Sequence, residues 1–260
     1  MKRILFITGA LLIISLSLVA QEKNDDGEEK KLYTEALTQY QDENFEEASI
    51  LFEKLISNGY SSYRLFYNAG NAAFKTGNIP AAILNYEKAL LLKPFNEEIR
   101  YNLEIAKTYT VDNLEIIPEI FFIRWFKLFS LLLHSNAWAV ISLVCFISTL
   151  TLAALFLFSS KYGIKKLSFT AAVIFIVFSI LSFSLALTNK SLTTNNKEAI
   201  VFEPVVTGRS SPGTGGNELF VIHEGTKVFV IDKLGEWYEI KLSDGSVGWI
   251  PMDFVEKIIP

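Results

Sequence analysis

The residue types that most often do chemistry are sparse in this chain and widely separated. Cys145 is its one cysteine, and its two histidines, His134 and His223, lie in different blocks of sequence. A lone cysteine forms no intrachain disulfide, and no cluster of His, Cys and carboxylates has the spacing of a metal site. Asp112 and Glu115 are predicted to belong to a solvated linker. Without a nucleophile-plus-base pair or a phosphate-binding loop, the sequence predicts a non-enzymatic protein that needs no cofactor or metal.

Tyrosine and asparagine side chains, which can hydrogen-bond to a ligand, recur at a fixed spacing in the first half of the chain. Tyr33, Tyr67 and Tyr101 are 34 residues apart, and so are Asn68 and Asn102. A recurrence of this length indicates repeated helix pairs, because one such pair occupies about 34 residues. These side chains are therefore expected to occupy equivalent places on successive repeats.

The same 34-residue step relates the residues that would position them. It aligns small residues, turn residues and aromatic residues, namely Ala36 with Gly70, Glu43-Asn44 with Gly77-Asn78, Ala48 with Ala82, and Phe52 with Tyr86. Small residues let helix backbones approach, and Pro94 ends the last repeat. This pattern resembles the tetratricopeptide repeat over 31–110, as two repeats and a capping helix, NEEIRYNLEIAKTY.

The resemblance implies a concave groove that binds an extended peptide. In this family the first helices of successive repeats line such a groove, and asparagines clamp the ligand backbone. The candidate groove residues are then Tyr33, Tyr40, Arg64, Tyr67, Asn68, Asn71, Phe74, Tyr101 and Asn102. The alternative is that the tyrosines only pack between repeats. The groove is poor in lysine, which disfavours a free acidic tail as the ligand.

Three apolar stretches predict how the chain meets a membrane. Residues 1–20 have a positive start, an apolar run and a final small residue, as in a secretory signal peptide, with an uncleaved anchor as the alternative. A polar linker, 21–30, follows. Two uncharged stretches, 137–158 and 167–187, are each long enough to span a bilayer core of about 30 Å. The alternative is a buried hairpin in a soluble protein.

Charge predicts the orientation of these spans. The loop 159–166 contains Lys161, Lys165 and Lys166, and short positive loops stay in the cytoplasm. The signal peptide independently exports the chain after it, so both soluble parts are predicted to be periplasmic, on a bacterial inner membrane. Segment 111–136 is predicted to be a linker and an interfacial amphipathic helix. The alternative is a linker helix packed on the soluble domain.

After a linker at 188–198, the chain changes to short runs in which apolar and polar residues alternate. Loops such as SSPGTGG and SDG separate these runs, which predicts a small β-barrel. The order of loops and strands over 199–260 resembles a bacterial SH3-like domain. The resemblance implies binding of peptides or cell-wall fragments, with Arg209, Tyr238 and Trp249 as candidate surface residues. Trp237 is assigned to the core, and His223 to a turn or strand edge without a catalytic partner.

The whole architecture is therefore that of a multidomain membrane protein: an all-α repeat array, a two-helix transmembrane hairpin and a small all-β barrel. With its phrases YNAGNAAFKTGN, YEKALLLKPFN and RYNLEIAK, it resembles the BatE family of the Bacteroides aerotolerance operon. That resemblance implies a non-enzymatic scaffold in an inner-membrane assembly with von Willebrand A-type Bat proteins and a MoxR-type ATPase. The alternative is a cell-envelope protein whose SH3-like domain recognises peptidoglycan. The net charge of −4 disfavours nucleic acid as a partner.

Overall fold

Five helices form the first unit of the protein. The computed structural model describes residues 27–112, 120–194, 197–213 and 215–259, so the predicted signal peptide lies outside the described residues. The five helices are α1 (Glu28–Gln41), α2 (Phe45–Ser57), α3 (Tyr63–Lys75), α4 (Ile79–Leu92) and α5 (Glu97–Lys107). Each helix packs mainly against its neighbours in sequence. We call this unit the helical array.

Local sequence signals begin and separate these helices. The side chains of Ser62, Asn78 and Asn96 each accept a hydrogen bond from a first-turn amide and so cap α3, α4 and α5. In the turn between α3 and α4, Gly77 has a φ of 81°, and its equivalent one repeat earlier, Glu43, has a φ of 61°. The two turns therefore share a left-handed conformation, although a side chain makes it less favourable at Glu43.

Small residues allow the helices of the array to approach closely. Ala36, Ala48 and Ala82 are fully buried. At Gly70 an added Cβ would lie 2.7 Å from two ring carbons of Tyr86, which is closer than a real contact. The 34-residue pattern of small and aromatic residues thus corresponds to real packing between α3 and α4.

Three further helices form a hairpin with a short leading helix. They are α6 (Phe121–Ser130), α7 (Ser135–Phe158) and α8 (Tyr162–Thr194). Because α8 begins at Tyr162, Lys165 and Lys166 lie inside a helix rather than in the predicted loop; lysine is a good helix former. Both α7 and α8 are long and apolar enough to span a membrane.

Polar side chains tie the hairpin together. Ser142 and Ser179 each donate a hydrogen bond to the other's backbone carbonyl at 2.9 Å. At the other end of the hairpin from the lysines, the carbonyl of Ser130 accepts hydrogen bonds from Trp138 Nε1 and Asn189 Nδ2, both at 3.0 Å. The end of α6 is thereby fixed to the start of α7 and the last turns of α8.

Seven antiparallel strands form the C-terminal β-domain. They are β1 (Glu198–Val201), β2 (Val205–Arg209), β3 (Glu218–His223), β4 (Lys227–Leu234), β5 (Trp237–Lys241), β6 (Val247–Pro251) and β7 (Val255–Lys257). Their order in the sheet is β3-β2-β6-β5-β4-β1-β7. Alternate residues point inward, as the alternating sequence predicts.

The assignment of Tyr238 to the surface of the β-domain was wrong. Tyr238 is 8% exposed and belongs to the core of the β-domain, so it is not a surface residue, whereas Trp237 is only half-buried. Side chains alternate along a strand, and the fully buried Ile240 has the same parity as Tyr238. Ile240 was therefore the sequence signal that could have assigned Tyr238 to the interior.

The β-domain packs directly on the helical array. Ile200 and Ile258 of the β-domain share one hydrophobic core with Ile83, Ile99 and Leu103 of the array. All five side chains are almost fully buried. The two soluble units are therefore in contact.

Candidate functional site

A pocket of about 300 Å³ opens on the helical array. It is lined by Tyr40, Tyr67, Asn71, Phe74, Lys75, Tyr86, Asn102 and Ile105. Five of these were groove candidates from the sequence. Helical spacing could have supplied two more, because Lys75 lies one turn after Asn71 and Ile105 one turn after Asn102. Tyr86 was assigned to packing alone, and the structure gives it a place in the pocket as well.

The polar side chains of this pocket are bonded to one another. Asn102 Nδ2 donates to Asn71 Oδ1 and to Tyr67 Oη, both at 3.0 Å. Tyr86 Oη donates to the same Asn71 oxygen at 2.8 Å, and Tyr67 Oη donates to Glu98 Oε1 at 2.7 Å. These bonds hold the amides and hydroxyls of the pocket in fixed positions.

The same bond recurs one repeat earlier. Asn68 Nδ2 donates to Tyr33 Oη at 2.8 Å, as Asn102 does to Tyr67. The recurring asparagine of each repeat thus bonds to the recurring tyrosine of the repeat before it. These bonds are what the packing alternative predicts for Tyr33 and Tyr67, and they explain the shared spacing without a ligand.

The remaining groove candidates lie apart from the pocket. Tyr33 and Arg64 line a separate pocket of about 130 Å³ at the other end of the array. Tyr101 is 68% exposed and lines neither pocket. The nine candidates therefore do not form one continuous site in this structure.

The pocket combines apolar, neutral polar and cationic groups. Burial raises the pKa of Tyr86, and burial followed by the hydrogen bond to Glu98 raises the pKa of Tyr67. Both hydroxyls are therefore protonated at neutral pH and can donate hydrogen bonds. Lys75 is exposed beside the pocket, with its ammonium 5.6 Å from the centre of the Phe45 ring.

Asp112, which follows α5, forms a polar contact between the end of the helical array and the β-domain. Its Oδ2 accepts hydrogen bonds from the backbone amide of His223 at 2.6 Å and from Thr226 Oγ1 at 2.5 Å. Its Oδ1 lies 2.9 Å from His223 Nδ1. The prediction of a solvated linker at Asp112 was therefore wrong. The sequence did not reveal this contact because Asp112 and His223 are 111 positions apart; Glu115 lies outside the described residues. His223 does end a strand, as expected, but it has an acidic partner.

These contacts set the charge state of Asp112. Burial has the largest single effect and raises its pKa, but the hydrogen bonds from Thr226 and His223 together outweigh burial and hold the pKa below its usual value. The carboxylate is thus ionised at neutral pH. We call Asp112, His223 and Thr226 the Asp112 contact.

Two further sets of ion pairs support the interface. Lys227 Nζ lies 3.1 Å from Glu87 of the array and 2.7 Å from Glu198 of the β-domain. Lys88 Nζ lies 3.1 Å from Glu256. Burial lowers the pKa of Lys227, but the two carboxylates raise it by more, so the ammonium stays charged. None of these residues lines the pocket around Asn71 and Asn102.

Arg209 and Trp249 are neighbours on the β-domain. They are paired between β2 and β6, and both are half-buried. Arg209 Nη1 donates to the carbonyl of Gly216 at 3.2 Å, which braces the loop between β2 and β3. The structure therefore brings together two of the three surface candidates, and Tyr238 is the exception.

The comparison with family models agrees with this fold. Residues 209–256 match the bacterial SH3 domain. The match runs from the last residue of β2 into β7, so β1, most of β2 and the helical array lie outside it. We use the name SH3 domain for the β-domain from here on. The comparison with curated proteins gave no match.

Within the described parts of the chain, no group of three or more His, Cys, Asp and Glu side chains converges as metal ligands would.

Proposed function

We propose that this protein is a membrane-anchored scaffold that holds a segment of a partner protein in the pocket of its helical array. The observation that carries the proposal is the open pocket itself. Its lining combines the amides of two asparagines, the hydroxyls of three tyrosines, the apolar side chains of Phe74 and Ile105, and the ammonium of Lys75. Such a surface suits an extended peptide with an apolar side chain, because the amides can bond to the peptide backbone.

The proposal treats the helical array as tetratricopeptide repeats. In support, α1–α2 and α3–α4 are successive helix pairs, and α5 follows as a cap. The two inter-helix turns share a left-handed residue at equivalent positions, and Gly70 contacts the aromatic residue that the repeat pattern pairs with it. The SH3 domain bonds to residues outside the pocket, which leaves the pocket open.

We propose that α7 and α8 anchor the protein in the bacterial inner membrane. In the most apolar part of α7 only 6% of the residues are buried by the rest of the protein, and in that of α8 only 22%. Such exposure is unfavourable in water and natural in lipid. With Lys161, Lys165 and Lys166 on the cytoplasmic side, both soluble units are periplasmic.

The partners proposed for the scaffold come from the resemblance to the BatE family. They are the von Willebrand A-type Bat membrane proteins, and through them a MoxR-type ATPase. Confinement to the membrane raises the local concentration of two weak binding modules, so neither needs high affinity alone.

Co-purification from native membranes tests the scaffold proposal. The tyrosines and asparagines of the pocket hold the array together, so substitutions at its edge are more informative. Lys75→Glu and Ile105→Arg are expected to reduce the recovery of membrane partners, while Lys54→Glu, at an exposed site outside the pocket, retains it. Equal recovery with all three variants would contradict the proposal.

A second candidate function is recognition of peptidoglycan by the SH3 domain. It is favoured by the family match and by the adjacent Arg209 and Trp249. Binding of the detergent-solubilised protein to purified cell wall tests it. Trp249→Ala should reduce binding, whereas Leu234→Ala, which truncates an exposed apolar residue at the end of β4, should not. Absence of binding by the wild type would exclude this function.

A further inference from the structure

A second cavity of about 300 Å³ lies where the helical array, the hairpin and the SH3 domain meet. Its walls come from all three units and include Ser61, Phe66, Lys88, Leu91 and Leu92 of the array, His134, Ser135, Asn189 and Thr193 of the hairpin, and Ile258 and Ile259 of the SH3 domain. The lining thus combines apolar side chains with an ammonium, an imidazole, a carboxamide and hydroxyls.

The cavity lies at the depth of lipid headgroups if the hairpin spans a membrane. His134 and Ser135 lie two or three residues before the apolar stretch 137–158 of α7. Asn189 lies two residues after the apolar stretch 167–187 of α8, whose 21 residues extend about 31 Å at a rise of about 1.5 Å per residue. That length fills a hydrocarbon core of about 30 Å, so Asn189 stands just outside it. This step rests on the membrane anchoring proposed above.

Several polar groups at the cavity have capacity for a ligand. The side chain of Lys88 is only 14% exposed, and its ammonium has three donors, of which Glu256 Oε1 takes one. Asn189 is 5% exposed and is held in place by its bond to the Ser130 carbonyl. The His134 side chain does not cap the first amides of α7, which leaves the positive end of that helix dipole beside the cavity.

We propose that this cavity binds the phosphodiester headgroup of a phospholipid from the outer leaflet of the inner membrane. The phosphate accepts hydrogen bonds from Lys88 and from the start of α7. The glycerol backbone and the first methylenes lie against Phe66, Leu92 and Ile259. A phospholipid is the occupant that the position favours, because lipid headgroups surround this depth of the hairpin. Inorganic phosphate shares the polar chemistry but would not use the apolar wall.

Titration of the full-length protein in detergent micelles tests the proposal. The probe is dihexanoyl-phosphatidylglycerol, followed by the rise it causes in the thermal unfolding midpoint. Inorganic phosphate and the phosphate-free dioctanoylglycerol are titrated in parallel. The structure offers a matched pair of variants that both break the ion pair between Lys88 and Glu256. Lys88→Gln removes the ammonium, whereas Glu256→Gln leaves the ammonium in place.

The proposal expects saturable binding of the phospholipid, weakened about tenfold by Lys88→Gln and kept or strengthened by Glu256→Gln; a tenfold change corresponds to about 1.4 kcal/mol. Phosphate alone and dioctanoylglycerol should bind much more weakly. The proposal is overturned if both variants lose binding equally, or if dioctanoylglycerol binds as well as the phospholipid. Membrane fractionation of the same proteins separates the two proposals. If the wild type is embedded in the membrane but does not bind the phospholipid, only the phospholipid site is refuted. If the wild type is not in the membrane fraction, the membrane anchoring and the phospholipid site are both refuted.

Discussion

Replacing Asp112 by alanine should release the SH3 domain from the helical array. The carboxylate accepts hydrogen bonds from the His223 amide and from Thr226 Oγ1, and it lies within hydrogen-bond distance of His223 Nδ1. Hydrogen bonds to charged groups contribute about 1.5–3 kcal/mol each. Water replaces part of this interaction once the side chain is gone, so we expect docking to weaken by about 3 kcal/mol, or roughly 150-fold.

Thiol labelling of a buried interface residue measures this opening. Ile258 is 2% exposed and packs in the core shared with the array. In a Cys145→Ala background, a cysteine at position 258 should react about two orders of magnitude faster when Asp112→Ala is also present. Asp112→Asn keeps an acceptor oxygen and should lie between the two.

A second carboxylate, on the SH3 domain, provides the control. Asp253→Ala removes an exposed carboxylate from the same domain and should leave the labelling rate unchanged. If Asp112→Ala labels at the parent rate, the Asp112 contact does not hold the two units together, and the apolar core around Ile200 and Ile258 is sufficient.

Three further predictions concern pH, packing and topology. The pKa of Asp112 is lower in the folded protein than its ordinary 3.8. Its contribution to docking stability is therefore complete above pH 3.8 and is lost as the pH falls through the folded pKa. Hydrogen exchange, corrected for intrinsic rates, should show an acid-induced opening of the interface in the wild type that Asp112→Ala lacks. Gly70→Ala should lower stability by about 1–3 kcal/mol in thermal unfolding, because its Cβ would lie 2.7 Å from an aromatic ring of α4, whereas Gly27→Ala meets no atom within 4 Å and should have little effect. An impermeant thiol reagent applied to cells with a permeabilised outer membrane should label a cysteine at Glu47 and not one at Lys161; the reverse pattern would invert the proposed orientation.

Local pattern was enough to predict several elements of this protein. The turn at Gly77-Asn78, the two long apolar stretches and the alternation of the β-strands each depend on neighbours within a few residues. The 34-residue recurrence also placed Gly70 against the aromatic residue at Tyr86, because equivalent residues of a repeat occupy equivalent places. The SH3 domain was predicted from the same kind of pattern and agrees with the family match.

The tertiary structure alone decided which of these residues meet. Asp112 looked like a solvated linker residue because its partners, His223 and Thr226, are more than a hundred residues away. The recurring asparagines looked like ligand clamps, and in the structure Asn68 and Asn102 bond to the tyrosines of the preceding repeat. Sequence spacing predicts which residues share a face of one helix or strand. Contacts between faces depend on how the units dock, and that is set by the summed burial and hydrogen bonding of the whole interface, which no local pattern contains.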